Sequence, residues 1–333
     1  MKCIQLIAVL VMTNLTYGQT SLSGRIINEA YEPIPFVNMG IIAMNLATLS
    51  EENGQFTMDL RGAEISNQFI KIEHVGYKDT SVSVLHLLLT DNQIILKARD
   101  RKLETIEINT TEKSDNICLG SGHFGMSAWL LLDTLGTGES FALVVDNTNS
   151  LNDTMKYYAK KVELGMGEIK DCELRFGLRI CAVDSSTGVP GQDLLPTPVI
   201  KTFEIKERFY HLDYSIQFDI SDFGLVIEQP VFIVIEHLQL DSERDETKAF
   251  LDEYKKKHPR LVLLKETVKD RDTLEFESYM FITNKLPIPA ISRARSKNAV
   301  KNSVVLTKSS TNTPWKPMPF VPDFRICGAI LNQ

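Results

Sequence analysis

Glu173-Leu174-Arg175-Phe176-Gly177-Leu178-Arg179-Ile180-Cys181-Ala182-Val183 is the stretch on which the fold turns. Leu174, Phe176, Leu178 and Ile180 fall on one side of an extended chain, Arg175 and Arg179 on the other. This is the period-two pattern of a half-buried strand. Working outward, residues 231–235 are continuously apolar and suit a central strand buried on both faces. Leu274, Phe276, Met280 and Ile282 alternate in another strand, and residues 324–331 supply a last one. With stretches at 141–145, 199–205 and 212–218, the count reaches roughly eight strands, the size of a jelly roll or related sandwich.

One helix stands out against these strands, over residues 243–257. Ser242 can cap it, Glu243, Asp245 and Glu246 suit its positive end, and Lys255, Lys256 and Lys257 suit its negative end. Phe250, Leu251 and Tyr254 give it a narrow apolar stripe, so it reads as an insertion between sandwich strands rather than a partner-binding helix.

Upstream, residues 21–108 carry short apolar runs broken by turn residues, the signature of a small antiparallel β-sandwich. Gly24-Arg25-Ile26-Ile27 leads into a turn. Pro33 and Pro35, ahead of Phe36-Val37-Asn38-Met39, suit a strand entry or edge, because proline has no amide hydrogen to give to a ladder. Asn53-Gly54 tolerates the positive φ of a tight primed turn and predicts a hairpin, with residues 55–60 as its returning strand. Glu51, Glu52 and Asn53 lack the spaced oxygen ligands of a calcium loop. Ile70, Ile72 and His74 share one face of the next strand.

The whole chain has 333 residues, 43% of them hydrophobic and 24% charged, with 36 basic against 43 acidic side chains and a formal charge of −7. Such a composition excludes a disordered or fibrous protein, and the length allows two domains with their own cores. The acidic balance offers no basic face for a phosphate backbone, so no nucleic-acid partner is expected.

Lys2, the apolar residues 4–12 and the small-residue site Thr16-Tyr17-Gly18 read as a secretory signal peptide, cleaved after Gly18 or one residue later. Removing it leaves a charge of −8. The apolar run is shorter than the about 20 residues of a membrane-spanning helix. The strongest later run, 230–238, is interrupted by Glu236 and His237. An exported protein of the periplasm or of the outer membrane and cell surface is expected, with no transmembrane segment in its mature chain. Cys3 precedes the hydrophobic stretch, so no lipid anchor is expected.

Export places Cys118, Cys172, Cys181 and Cys327 where disulfides are possible, and three full pairings stay open. Cys172 and Cys181 are too far apart to bond if their segment is a straight strand. Buried free thiols are the plainer expectation, and no pair has the close spacing of a zinc knuckle.

Four blocks in order, Gly24-Arg25-Ile26, Ile34-Pro35-Phe36-Val37-Asn38, Ser50-Glu51-Glu52-Asn53-Gly54-Gln55-Phe56 and His74-Val75-Gly76-Tyr77, precede an exit segment Leu103-Glu104-Thr105-Ile106-Glu107-Ile108. Residues 19–108 thereby resemble the carboxypeptidase-regulatory-like domain, a prealbumin-type β-sandwich of Gram-negative envelope proteins. The family often has aspartate before its Asn-Gly turn, where this chain has Glu51 and Glu52. The resemblance implies a non-catalytic accessory module. A weaker one covers residues 117–333, beyond a polar linker at 109–116. It is to the uncharacterised C-terminal sandwich domains that accompany this module, and it rests on the segment 178–184, Gly188-Val189-Pro190-Gly191-Gln192-Asp193-Leu194-Leu195, Asp219-Ile220-Ser221 and Phe232-Ile233-Val234-Ile235-Glu236. It implies no ligand residues.

Chemistry-bearing patterns are sparse. A zinc carboxypeptidase needs His-x-x-Glu and a distant histidine, and none of the six histidines has a glutamate three positions later. His-Glu-x-x-His is missing too. His123, His211, His237 and His258 are scattered singly and read as structural or exposed. No metal or cofactor is expected. Gly138-Glu139-Ser140-Phe141-Ala142 approximates a nucleophile elbow, but an elbow needs a strand before its serine and a helix after it, whereas here a strand follows. Gly120-Ser121-Gly122-His123-Phe124-Gly125 lacks dinucleotide spacing and reads as a flexible entry to the second domain. Arg293 and Arg295, with Lys297 and Lys301, form a modest basic run that an acidic glycan could meet, although a solvated loop is the plainer reading. Trp315, set between Pro314 and Pro317, can offer a flat face to a sugar with little ordering cost. Packing over the sandwich edge is its plainer role.

The fold expected is all-β, with a small prealbumin-like sandwich followed by a larger jelly-roll-like sandwich carrying one inserted helix. The function expected is a secreted, non-enzymatic envelope protein with a binding or structural role, its partner a glycan or an envelope protein, and Trp315, Arg293 and Arg295 the candidate contacts. One alternative is a hydrolase whose site gathers dispersed residues such as Asp133, His123, Ser140 or Glu236. Another is an accessory part of an outer-membrane transport assembly. A complete receptor barrel of about 22 strands would need far more chain.

Overall fold

The computed structural model describes residues 21–44, 46–60, 65–90, 92–99, 117–121, 129–131, 140–145, 156–166, 172–205, 215–240, 304–308, 314–317 and 324–331. It also describes positions 242–243, 245–246, 249, 253, 256, 264–265, 277–278 and 290–292. The protein is almost all β, and the described residues divide into two compact units, 21–73 with 78–97, and 74–77 with 98–331.

The first unit contains β1 (Ser21–Asn28), β2 (Asn38–Ile41), β3 (Leu46–Leu49), β4 (Gln55–Asp59), β5 (Phe69–Glu73), β6 (Thr80–Ser83), the short helix α1 (Val84–Leu89) and β7 (Gln93–Leu96). One sheet has the order β4-β1-β7 and the other β3-β2-β5-β6. Each buries an apolar row. Leu22, Ile26, Phe56, Met58, Ile94 and Leu96 come from the first sheet, and Met39, Ile41, Ile70 and Ile72 from the second. Two sheets with one apolar face each make a sandwich. Helix α1 follows from its leucines: Val84 and Leu87 turn inward at i, i+3 spacing, while Leu85 and Leu89 stay exposed.

The Asn53-Gly54 turn forms, but not as the expected hairpin. Gly54 has φ 79° and donates its N–H to Glu51 O, while Asn53 Oδ1 accepts the N–H of Gln55 at 2.8 Å. The strands flanking this turn lie in different sheets, since β3 pairs with β2 and β4 pairs with β1. A tight turn fixes a local reversal only; apolar burial decides which strand each arm joins. The strand expected to follow Pro33 also begins late, because Phe36 takes φ 54° and only from Asn38 does the chain join a ladder.

The second unit contains β8 (Ile117–Gly120), β9 (Trp129–Leu131), β10 (Ser140–Val145), β11 (Lys156–Gly165), β12 (Cys172–Val183), β13 (Pro190–Asp193), β14 (Val199–Ile205), β15 (Ser215–Asp219), β16 (Val226–Ile227), β17 (Val231–His237), β18 (Leu264–Lys265), β19 (Glu277–Ser278), β20 (Ala290–Ser292), β21 (Val305–Lys308), β22 (Lys316–Pro317) and β23 (Phe324–Leu331). A seven-stranded sheet runs β13-β12-β17-β10-β21-β22, with β14 also on β12. A five-stranded sheet runs β15-β11-β23-β8, with β16 also on β11. Phe141, Phe176, Leu178, Ile180, Ile233 and Ile235 of the first meet Tyr157, Val162, Leu164, Phe218, Phe324 and Ile326 of the second in one core, so this unit too is a sandwich.

The helix is present at its described positions: Ser242, Glu243, Asp245, Glu246, Ala249, Glu253 and Lys256 are helical. Ser242 lies inside it instead of capping it, and Glu243 Oε2 reaches back to the Leu240 N–H at 2.8 Å. The carboxylate thus does the capping, as in a capping box. Its apolar stripe, the 109–116 linker and the alternation at Leu274, Phe276, Met280 and Ile282 lie outside the described residues. Among the described residues no helix is long and apolar enough to cross a membrane.

The expectation of free thiols fails for one pair. Cys118 and Cys327 are disulfide-bonded across the antiparallel pair of β8 and β23, 209 residues apart in sequence. The topology that makes first and last strands neighbours cannot be read from spacing. Of the segment 120–125 expected as a flexible entry, residues 122–125 lie outside the described residues, while Gly120 and Ser121 are tied to β23. Ser121 is buried, its Oγ accepts the Phe324 N–H at 2.9 Å, and its own N–H donates to Phe324 O at 3.0 Å.

Candidate functional site

β12 places Leu174, Phe176, Leu178 and Ile180 in the core and Arg175, Arg179 and Cys181 on the opposite face, as alternation requires. The opposite face is covered as well. Cys181, Phe232, Val234, Ala142 and Leu306 form a second buried cluster there. The strand is therefore more enclosed than the half-buried expectation: Arg175 and Cys181 are buried and Arg179 is half-buried, with its charge paired.

Arg179 organises that face. Its Nε and Nη2 donate to Asp193 Oδ1 and Oδ2 at 2.7 and 3.1 Å, and its Nη1 donates to Glu236 Oε1 at 3.2 Å. A planar guanidinium suits this two-pronged contact. Arg99 brings Nη1 to 3.9 Å of Asp193 Oδ2, and the Cys181 thiol donates to Asp193 Oδ1 at 3.4 Å. Burial pushes that thiol up to about 12, with Asp193 and Glu236 reinforcing the shift and Arg179 opposing it. A neutral thiol is a poor nucleophile and a poor metal ligand.

Beside this cluster, register sets a row across the sheet: Gly177 opposite Glu236, Glu236 opposite Ser140, and Ser140 opposite Lys308. Directly opposed residues hold their Cβ atoms roughly 4.5–5.5 Å apart. Lys308 Nζ lies 5.0 Å from the Trp315 ring centroid, a cation–π contact that extends the row toward β22. Ser140, Glu236 and Lys308 are all buried, Ser140 completely.

Farther along β12, Arg175 donates through Nη2 to Glu173 Oε1 at 3.1 Å and through Nη1 to Glu243 Oε1 at 3.4 Å, tying the helix start to the sheet. On the other sheet, Glu163 lies between Lys161 Nζ at 2.7 Å and Arg325 Nε. Burial alone would raise its carboxyl, but these two cations hold it below the usual range. Among the described residues no three His, Cys, Asp or Glu side chains converge as metal ligands.

Sequence-derived candidates are brought together unevenly. Ser140 opens β10, with strand after it, and faces Glu236 directly. Trp315 is half-buried and packs against the second cluster. Arg293, Arg295, Asp133, His123, His211 and His258 lie outside the described residues. Asp193 and Lys308 had not been singled out as site residues. Arg179 and Asp193 are 14 residues apart across the Gly188-Val189-Pro190-Gly191 turn, and that reversal is the local signal in the sequence that brings them together.

Neither protein-family models nor curated proteins gave a match to this chain.

Proposed function

We propose that the chain is an exported, non-enzymatic cell-envelope protein whose two sandwiches act as binding or structural modules, with a glycan or an envelope protein as partner. The observation that carries this reading is the Cys118–Cys327 bond, since disulfides persist in oxidising compartments and are rare in the cytosol. The resemblance of residues 19–108 to carboxypeptidase-regulatory-like modules supports the envelope assignment. The saturated state of the charged face supports the non-enzymatic one: Arg179 and Arg99 together balance Asp193 and Glu236, and Cys181 is protonated. A second reading, a hydrolase, draws on the placement of Ser140 between Glu236 and Lys308. Against it stands the complete burial of Ser140, which keeps a substrate carbonyl from its hydroxyl.

The test compares processed wild-type protein with Trp315→Ala, both shown to be folded, on a glycan array and in an envelope pull-down, alongside peptide, ester and glycoside turnover assays. Export with signal removal, and a specific partner lost in the variant, is the expected result. Turnover abolished by Ser140→Ala or Glu236→Gln would establish the hydrolase instead.

A further inference from the structure

The Cys118–Cys327 bond lies at the edge of the five-stranded sheet, and its position there has a use beyond marking an oxidising compartment. β8 is a four-residue strand whose sole sheet partner among the described residues is β23. It is held at three points besides its ladder. Leu119 is buried in the core, Tyr157 Oη lies 2.5 Å from Ile117 O and 3.0 Å from Ile326 O, and Ser121 is bonded to Phe324 at the strand's end. Across its middle runs the Cys118–Cys327 bond, with Cys118 exposed and Cys327 buried. A short edge strand frays readily. Cross-linking to its neighbour removes that freedom.

We propose that this bond is a redox-operated latch: closed, it keeps β8 as the edge of the sheet; opened, it lets β8 leave and makes β23 the edge. The proposal is independent of what the protein binds. The asymmetry of exposure sets the chemistry. A thiolate of an incoming dithiol reaches Cys118 Sγ, the S–S bond breaks, and Cys327 departs as a thiolate that takes up a proton. The second thiol of the reductant then attacks the mixed disulfide, closing the reductant's own disulfide and releasing Cys118 as a thiol. Two electrons pass from the dithiol to the cystine. Because Cys327 and Cys118 are direct cross-strand partners in the ladder, each reclosure of β8 brings the two thiols face to face, so an oxidant restores the bond.

Cys181 supplies an internal control, since it is a fully buried free thiol in the other sheet. Folded protein is treated with dithiothreitol in native buffer and then with iodoacetamide, and labelling is read peptide by peptide together with amide hydrogen exchange. Cys118 and Cys327 are expected to be alkylated while Cys181 stays unlabelled. Exchange at residues 117–121 should rise about a hundredfold or more, the size of a typical disulfide's contribution, with β10, β12 and β17 unchanged, and in a parallel sample kept free of iodoacetamide removal of the reductant under air should reverse it. The double variant Cys118→Ser, Cys327→Ser should show the same local exchange without reductant. The proposal is overturned if Cys181 is labelled in step with Cys118, because the bond then opens only with the whole sandwich. It is equally overturned if the bond resists the dithiol, or if exchange at 117–121 is unchanged after reduction.

Discussion

Arg179 and Asp193 meet fork to carboxylate, Nε on Oδ1 and Nη2 on Oδ2, on a sheet face from which solvent is largely excluded. Arg179 also holds Glu236, so one cation serves two buried carboxylates. Removing the cation leaves both without it, the situation in which breaking a buried pair is costly. Arg179→Met should lower the unfolding free energy by about 3 kcal/mol. Arg179→Lys, which keeps the charge but not the fork, should lose roughly half of that. Urea unfolding with an unchanged m-value measures both.

This pair also shows how far the sequence was legible. Alternation in residues 173–183 foretold that Arg175 and Arg179 share a face opposite the core, and the continuous apolar run at 231–235 foretold the fully buried β17. Local pattern carries that much because side-chain direction in a strand is set by the backbone alone. What pairs with what is a matter of long-range register. Asp193, Ser140 and Lys308 reach the same face from strands far apart in sequence, and Cys118 meets Cys327 only because first and last strands are neighbours. The Asn53-Gly54 turn makes the same point from the other side, being correct as a turn and wrong as a hairpin.

Tyr157 reaches from β11 to β8 and β23, where its single hydroxyl proton faces the carbonyls of Ile117 and Ile326. Burial pushes its phenol well above the usual range, so it stays a neutral donor. Tyr157→Phe keeps the ring in the core and removes only the hydroxyl. The expected cost is about 1–2 kcal/mol, from two carbonyls deprived of a donor. Hydrogen exchange should rise first at residues 117–121.

Gly328 and Gly188 should fail for different reasons. A Cβ at Gly328 would run into the carbonyl oxygen of Tyr158, backbone against backbone, next to the register shift between Ala159 and Lys161. Gly328→Ala should therefore destabilise by about 3 kcal/mol, the upper range for forced overpacking. Gly188 meets nothing within 4 Å but has φ 70°. Gly188→Ala should cost only about 1–2 kcal/mol, the left-handed penalty of an L-residue. Thermal unfolding of the two variants ranks them.

His237 lies on the core side of β17, its ring 5.6 Å from that of Phe176, with Nδ1 lacking a hydrogen-bond partner among the described residues. Burial, and secondarily the positive charge of Arg175, lowers its pKa to about 4. The folded state thus resists a proton that the unfolded chain accepts from about pH 6.5 downward. Between those two values the unfolded state binds more protons, so stability is intact near pH 7 and is lost as the pH falls toward 4. The full shift corresponds to about 3 kcal/mol. His237→Leu removes this contribution while keeping an apolar side chain against Phe176. Carboxylates such as Glu163, held below their usual range, also release stability in acid, but they do so in both proteins. The difference between wild type and variant isolates the histidine: from pH 4 to 7 the unfolding free energy of the wild type should gain about 3 kcal/mol on that of the variant. Parallel curves would mean that His237 is protonated in the folded core or neutral in both states.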